Sequence, residues 1–207
     1  MRVDSSDVEL LTAWKAGDQR AGTALYRRHA GSVTRFFRNK VAERDVADLL
    51  QATFMTCFEH ADRYREDASF RAFVLGFARN LLLHHYRTRY RKDDKLDFEV
   101  SSMIDLGLSP SGIMAERQEE ARLLAALRSL AVEQQILLEL FYWENLAGPE
   151  LAQLYGAAEG TIRSRLRRAR ELLIAAYDAL DTSPLAGSST EISIDHWARQ
   201  LRDQLVG

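Results

Sequence analysis

Five arginines, Arg163, Arg165, Arg167, Arg168 and Arg170, crowd one short stretch of this 207-residue chain, with a single Glu159 at its start. Ile162, Leu166, Ala169 and Leu173 recur there at helical spacing and make one apolar stripe. Arg163, Arg167 and Arg170 flank the stripe on one side, and Thr161, Arg165 and Arg168 on the other. Just upstream, Pro149 to Tyr155 reads as a shorter helix, with Pro149 suited to a first helical position because its missing N–H has no partner there anyway. Gly156 supplies a tight turn between the two. Two short helices with one buried stripe and a cationic outer face have the shape that lays a helix in the DNA major groove. The plain alternative is a solvated surface helix, since arginine is a good helix former. The turn and the preceding helix favour DNA.

Composition narrows the surroundings of that unit. Hydrophobic residues make up 46% and charged residues 28%, the balance of an ordinary globular protein. A formal net charge of −2 excludes a uniformly basic nucleic-acid coat, so any nucleic-acid contact must be local. Charge does segregate: Arg87, Arg89, Arg91 and Lys92 form a second basic cluster, while Glu116, Glu119 and Glu120 gather elsewhere. The single cysteine, Cys57, cannot form an internal disulfide and fits a reducing compartment. No apolar run reaches the length of a membrane span and no signal pattern opens the chain, so a cytoplasmic protein without membrane insertion is expected. His84 and His85 do not make a metal site, because adjacent helix positions point apart. Neither a metal nor a cofactor is expected.

Three prolines and little strand-like alternation predict an all-α protein. Ser6 and Glu9 have the spacing of a capping box, starting a helix that runs to about Gly17. Asp18 can cap a second helix ending near Lys40, and a third spans Asp45 to about Glu59. After a polar loop, Asp62 to Ala68, a long helix is predicted from Ser69 to Lys92, with Phe70, Phe73, Val74, Phe77 and Leu81 read as core. Periodicity fails from Asp93 to Gly112, where acidic residues, serines, Gly107 and Pro110 suggest a flexible connector. Helices to about Leu130 and from Val132 to Glu144 then lead into the helix-turn-helix. The architecture is thus two helical domains joined by a linker: 1–92, a connector at 93–112, 113–178, and an extension at 179–207. In the extension, Ile194, Trp197, Leu201 and Leu205 form a narrow apolar face expected to dock on the chain itself or on a partner.

Two helical domains, the second ending in a helix-turn-helix, resemble a bacterial RNA polymerase sigma factor of the extracytoplasmic-function group, which has only region 2 and region 4. The resemblance covers about residues 7 to 178. It is carried by Ala16-Gly-Asp18, Ala24-Leu-Tyr-Arg-Arg28, Asp48-Leu-Leu-Gln51, Asp67-Ala-Ser-Phe-Arg71, Ala78-Arg-Asn80 and the run from Gly160 to Arg170, in order and spacing. It implies an alternative sigma factor, not an enzyme, that confers promoter recognition and DNA opening on core RNA polymerase. The helix at Asp45–Phe58 would dock on the polymerase through Asp45, Asp48, Gln51 and Ala52. The loop at Asp62–Ala68 and the next helix would capture the −10 element as a melted strand. That task needs cations for phosphates and rings or amides for bases, and Arg79, Asn80, His84, Tyr86, Arg87, Arg89 and Tyr90 supply both within about three turns. Asn80 could read a base edge and Tyr86 could stack. Thr161, Arg163, Ser164, Arg167 and Arg168 would meet the duplex −35 element.

One departure from the family pattern bears on function. The docking helix usually carries Asp-Ala-Glu-Asp followed by Gln-Glu-Thr-Phe; here Ala47 and Ala52 replace both glutamates. Two readings follow: lost charge there weakens attraction to a basic partner, or the change is family drift and Asp45 and Asp48 suffice for docking. Phosphate on Thr56, one turn beyond Ala52, would restore about −1.5 to −2 of charge, with Thr53 as second choice. A serine/threonine kinase and an anti-sigma factor are therefore carried as further candidate partners. Two other readings stay open on the sequence: a helix-turn-helix regulator acting without polymerase, and a protein that titrates an anti-sigma factor.

Overall fold

The computed structural model describes residues 6–38, 40–66, 68–89, 97–103 and 118–180. Its order is α1 (Asp7–Lys15), α2 (Gln19–Arg38), α3 (Glu43–Glu59), a 3-10 turn at Ala61–Arg63, α4 (Phe70–Arg89), α5 (Gln118–Ser129), α6 (Val132–Tyr142), α7 (Gly148–Tyr155) and α8 (Glu159–Ala179). Among the described residues there is no strand, only an isolated bridge between Ser102 and Ala131. The extension with Ile194, Trp197, Leu201 and Leu205 lies outside the described residues, as does Tyr90.

Local chemistry sets the helix starts. At α1 the Ser6 hydroxyl accepts the Glu9 N–H at 3.2 Å and the Glu9 carboxylate accepts the Ser6 N–H at 2.8 Å, so two otherwise unmet donors are satisfied reciprocally. Asp18 Oδ1 accepts the Arg20 N–H at 2.9 Å and caps α2. Gly22 lets α1 and α2 close: a Cβ there would stand 2.5 Å from the Trp14 ring.

Helices α1–α4 form the first domain around Leu25, Val33, Phe37, Phe54, Leu75 and Leu82, all essentially buried. A second core joins α5, α6 and α8 through Leu123, Ala126, Leu127, Leu138, Ala169 and Leu173. The first core does not stop at the domain boundary. It continues through Phe98 and Met103 into Val132, Ile136, Leu140, Leu151 and Ile162. The expected flexible connector is thus corrected over 97–103: Phe98, Ser102 and Met103 are buried, and Ser101 and Phe98 carbonyls accept the Val132 and Glu133 N–H groups at 3.0 and 3.1 Å. Two apolar residues in an acidic stretch provide enough burial to fold it onto both domains, roughly 1.5–3 kcal/mol each.

Candidate nucleic-acid and polymerase interfaces

The helix-turn-helix forms as its residues dictate. Pro149 sits at the start of α7, Glu150 accepts the Ala147 N–H at 2.8 Å, and Gly156 ends the helix in the left-handed region at φ 60°. Ile162, Ala169 and Leu173 are buried, which turns Thr161, Arg163, Ser164, Arg165, Arg167 and Arg168 outward, all exposed. Arg163 and Arg167 pair along the helix with Glu159 and Glu171, each at 2.9 Å. Such exposed pairs are weak and readily exchanged for phosphates. The Ser164 hydroxyl donates to the Thr161 carbonyl at 2.9 Å, leaving its lone pairs outward.

On α4 the structure sorts the expected strand-binding residues. Tyr86 is corrected: it is fully buried and its hydroxyl donates to the Lys40 carbonyl at 2.6 Å, so its ring cannot stack on a base. Asn80, His84 and Arg87 are exposed, and they continue one helical strip that begins with Phe73 and Phe77. These two phenylalanines, read from sequence as core, are only half-buried. With Tyr64, Asn80 and the 62–65 loop they line a cleft of about 550 Å³. Tyr64 stands 5.3 Å from Phe73, and Phe73 and Phe77 meet edge-on at 5.0 Å. The aromatic wall of this cleft is Tyr64, Phe73 and Phe77. Arg87 lies over Phe98 at 5.2 Å, and Arg89 approaches Asp45 at 3.4 Å.

Arg79 is occupied. It donates to both oxygens of Glu133 on α6, with Nε at 3.0 Å, and its guanidinium lies 4.4 Å over the Tyr155 ring. Burial pushes the Glu133 carboxyl above its ordinary range, and Arg79 only partly opposes this. Three more acids repeat the arrangement across the domain boundary. Glu139 pairs with fully buried Lys40, Glu144 accepts the Ser32 hydroxyl at 2.6 Å and faces Arg35 at 3.5 Å, and Glu150 accepts the Ser69 N–H at 3.2 Å and the Ser69 hydroxyl. Burial would raise the Glu150 carboxyl, but hydrogen bonds from Ser69 and Ala147 outweigh it and hold the group below its ordinary value. Sequence reasoning missed this whole set. Its signal was α6 itself, where Glu133, Gln135 and Glu139 interrupt a helix that is apolar on every side.

On α3, Asp48 and Gln51 are exposed, Ala52 is half-buried, and Asp45 is shared with Arg89, Arg44 and His85. An unexpected feature is Met55, 54% exposed in the middle of that face, with the Gln51 amide 3.9 Å from its sulfur. Thr53 is fully buried and its hydroxyl donates to the Leu49 carbonyl at 2.7 Å, which removes it as a phosphate acceptor. Thr56 is half-buried at the edge of the face. Burial pushes the Cys57 thiol up to about 12, so it stays protonated and inert. Among the described residues no cluster is arranged to hold a metal ion, and no helix is long and apolar enough to cross a membrane.

Comparison with known proteins meets this geometry at both domains. The model of sigma-70 region 2 matches residues 25–92, and that of sigma-70 region 4 matches 120–173. The chain belongs to the sigma-70 family. Within it the relatives are of the extracytoplasmic-function group. The chain is 28% identical to RNA polymerase sigma factor CnrH of Cupriavidus metallidurans over 86% of its length and 98% of that protein. It is 24% identical to the ECF RNA polymerase sigma-E factor of Escherichia coli, over 81% of its length and 92% of that protein. The structure of CnrH in complex with the cytosolic domain of CnrY superposes with a TM-score of 0.60 at 26% identity, covering 86% of this chain and all of the other. Sigma factor RpoE of Bartonella quintana, solved with the anti-sigma factor NepR, shares the fold at a TM-score of 0.53 and 20% identity, over 76% of this chain and 94% of that one. This sigma factor is accordingly an alternative sigma factor acting in transcription initiation. A regulator that works without polymerase is set aside.

Proposed function

We propose that region 2 of this sigma factor takes the −10 element of promoter DNA as a melted strand in the cleft on α4, and that region 4 reads the −35 duplex through α8. The observation that carries the reading is the convergence of the 62–65 loop, Asn80 and three aromatic rings on one cleft. Stacking on aromatic faces is the sequence-tolerant way to hold unpaired bases, and Asn80 adds an amide for a base edge. His84 and Arg87 extend the same strip toward the backbone of the strand, while Arg89, expected from the sequence to join them, lies on the other side of α4 against Asp45. On α8, Arg163, Arg167 and Arg168 supply the fork geometry for guanine edges, while Thr161 and Ser164 suit phosphates. Core RNA polymerase docks on α3, where Met55 provides an apolar anchor among Asp48, Gln51 and Ala52, with Asp45 alongside. Run-off transcription with core polymerase on genomic fragments tests this: discrete transcripts dependent on the chain are expected from some fragments, and their absence from every fragment refutes it.

The docking face is short of charge, and regulation is proposed to act there. Of the two threonines Thr53 is fully buried and Thr56, one turn beyond Ala52, is half-buried, so a serine/threonine kinase acting on Thr56 would add the missing negative charge. Core-polymerase affinity is measured for the parent, Ala52→Glu, Thr56→Glu and Thr56→Ala. Gains with both glutamate variants are expected. Tight binding by the unmodified parent with no gain from Ala52→Glu contradicts the proposal. An anti-sigma factor is the other proposed regulator, supported by the two solved relatives being complexes.

A further inference from the structure

Region 4 holds two carboxylates against the strand-binding face of region 2. Glu133 takes the guanidinium of Arg79 in two hydrogen bonds, and Glu150 takes the N–H and hydroxyl of Ser69 at the start of α4, with Arg71 adding its field. Ser69 also accepts the Ala72 N–H at 3.2 Å, so it is the cap of the helix that carries the cleft. An arginine fork, a hydroxyl and unmet N–H groups at a helix start are the groups proteins use for strand phosphates. In the same contact Gln153 and Leu154 of α7 form the outer wall of the aromatic cleft, with Leu154 3.6 Å from the position a Cβ on Gly76 would take.

We propose that Glu133 and Glu150 stand in for two phosphates of a single DNA strand, so that region 4 and the strand compete for the same donors on region 2. The inference rests on the −10 reading above and adds an internal competitor to it. The exchange is chemically matched: each donor goes from a carboxylate to a phosphate, and none is left bare during the transfer. It also orders events. Arg79 and Ser69 become available only once region 4 has left the cleft. The acids at the other end of the interface, Glu139 and Glu144, bond Lys40, Ser32 and Arg35 away from the cleft and hold closure without imitating the strand.

The test uses the full chain labelled with a fluorophore pair at R20C and D178C, titrated with a fluorescein-free random single-stranded DNA pool and with a duplex pool. Glu133→Gln with Glu150→Gln keeps shape while removing both charges and one acceptor oxygen from each side chain. Single-strand affinity is expected to rise by about tenfold, the scale of one or two charge-assisted bonds, with duplex affinity unchanged. Strand binding to the parent is expected to separate the labels. Glu144→Gln, which loosens the far end only, should gain much less. An equal gain from Glu144→Gln means closure is merely steric and overturns the stand-in role, as does parent affinity already matching the double variant. Adding Arg79→Ala to the double variant separates the two ideas: undiminished single-strand binding overturns the stand-in role, because Arg79 is then no strand donor, whereas single-strand binding absent in every variant means that the −10 reading itself fails.

Discussion

The Lys40–Glu139 pair offers the sharpest energetic test of how the two regions are held. The Lys40 side chain is wholly buried and Glu139 is 3% exposed, and the ammonium also donates to the Phe36 carbonyl at 2.7 Å and sits 4.3 Å over the Phe36 ring. Burial pulls the Lys40 ammonium below its ordinary range despite Glu139, a sign of how much solvation the pair has surrendered. Lys40→Met takes from the buried Glu139 carboxylate its hydrogen-bonded cation, leaving the Gln135 amide at 2.8 Å and the field of Arg128. Breaking a buried pair in this way costs about 3–5 kcal/mol, whereas replacing both partners by apolar groups is near neutral or stabilising. Lys40→Met and Glu139→Leu should therefore each lose several kcal/mol in urea unfolding, and the double variant should recover most of it. The coupling energy from that cycle should exceed about 2 kcal/mol, within the range of contacting pairs. Because Lys40 follows α2 in the turn before α3 and Glu139 lies in α6, the single variants should also separate region 2 from region 4 before either unfolds. Additive losses below about 1 kcal/mol would refute the reasoning.

Three further outcomes are expected. Gly22→Ala drives a methyl group into Trp14 and should destabilise the α1–α2 pair by about 1–3 kcal/mol, read as a lower melting temperature; an unchanged melting curve contradicts the close approach. Gly156→Ala forces a side chain into the left-handed region at a cost of about 1–2 kcal/mol and should weaken −35 duplex binding through a misplaced α8, with no effect on single-strand binding. His29 is held below its ordinary value by burial, with Asp7 at 2.9 Å only partly opposing, so the folded state favours neutral imidazole. Its contribution is then complete above pH of about 6.5 and is lost as pH falls below it; His29→Gln should flatten that part of the stability–pH curve, and an unaltered slope assigns it elsewhere.

Residues with a local or periodic signature were legible without coordinates. The Ser6 capping box, the Asp18 cap, the Gly156 turn and the inward stripe of α8 all follow from near-neighbour chemistry, and each stands as the sequence implied. What escaped depends on residues far apart in the chain. Tyr86 sits among cations on α4, yet its direction is decided by Lys40 and Met103, which fill the other side of that helix. Phe73 and Phe77 share the spacing of core residues, and only the loop at 62–65 and α7 reveal that their rings line a cleft. The glutamates of α6 and α7 look like ordinary surface charges until region 2 supplies Arg79, Lys40 and Ser69. Periodicity reports which face of a helix is covered, and says nothing of what covers it.

The central claim is that one chain carries two separable DNA sites, a strand-capturing cleft on α4 and a duplex-reading face on α8. It is tested most directly by assembling the chain with core polymerase on a promoter found by run-off transcription and measuring affinity for two fragments, the −10 single strand and the −35 duplex. Asn80→Ala and Phe73→Ala should weaken the single strand alone. Arg168→Ala should weaken the duplex alone, by about 1–3 kcal/mol with relaxed specificity at one position if it reads a base. Loss of both fragments together in every variant, or of neither, would contradict the account.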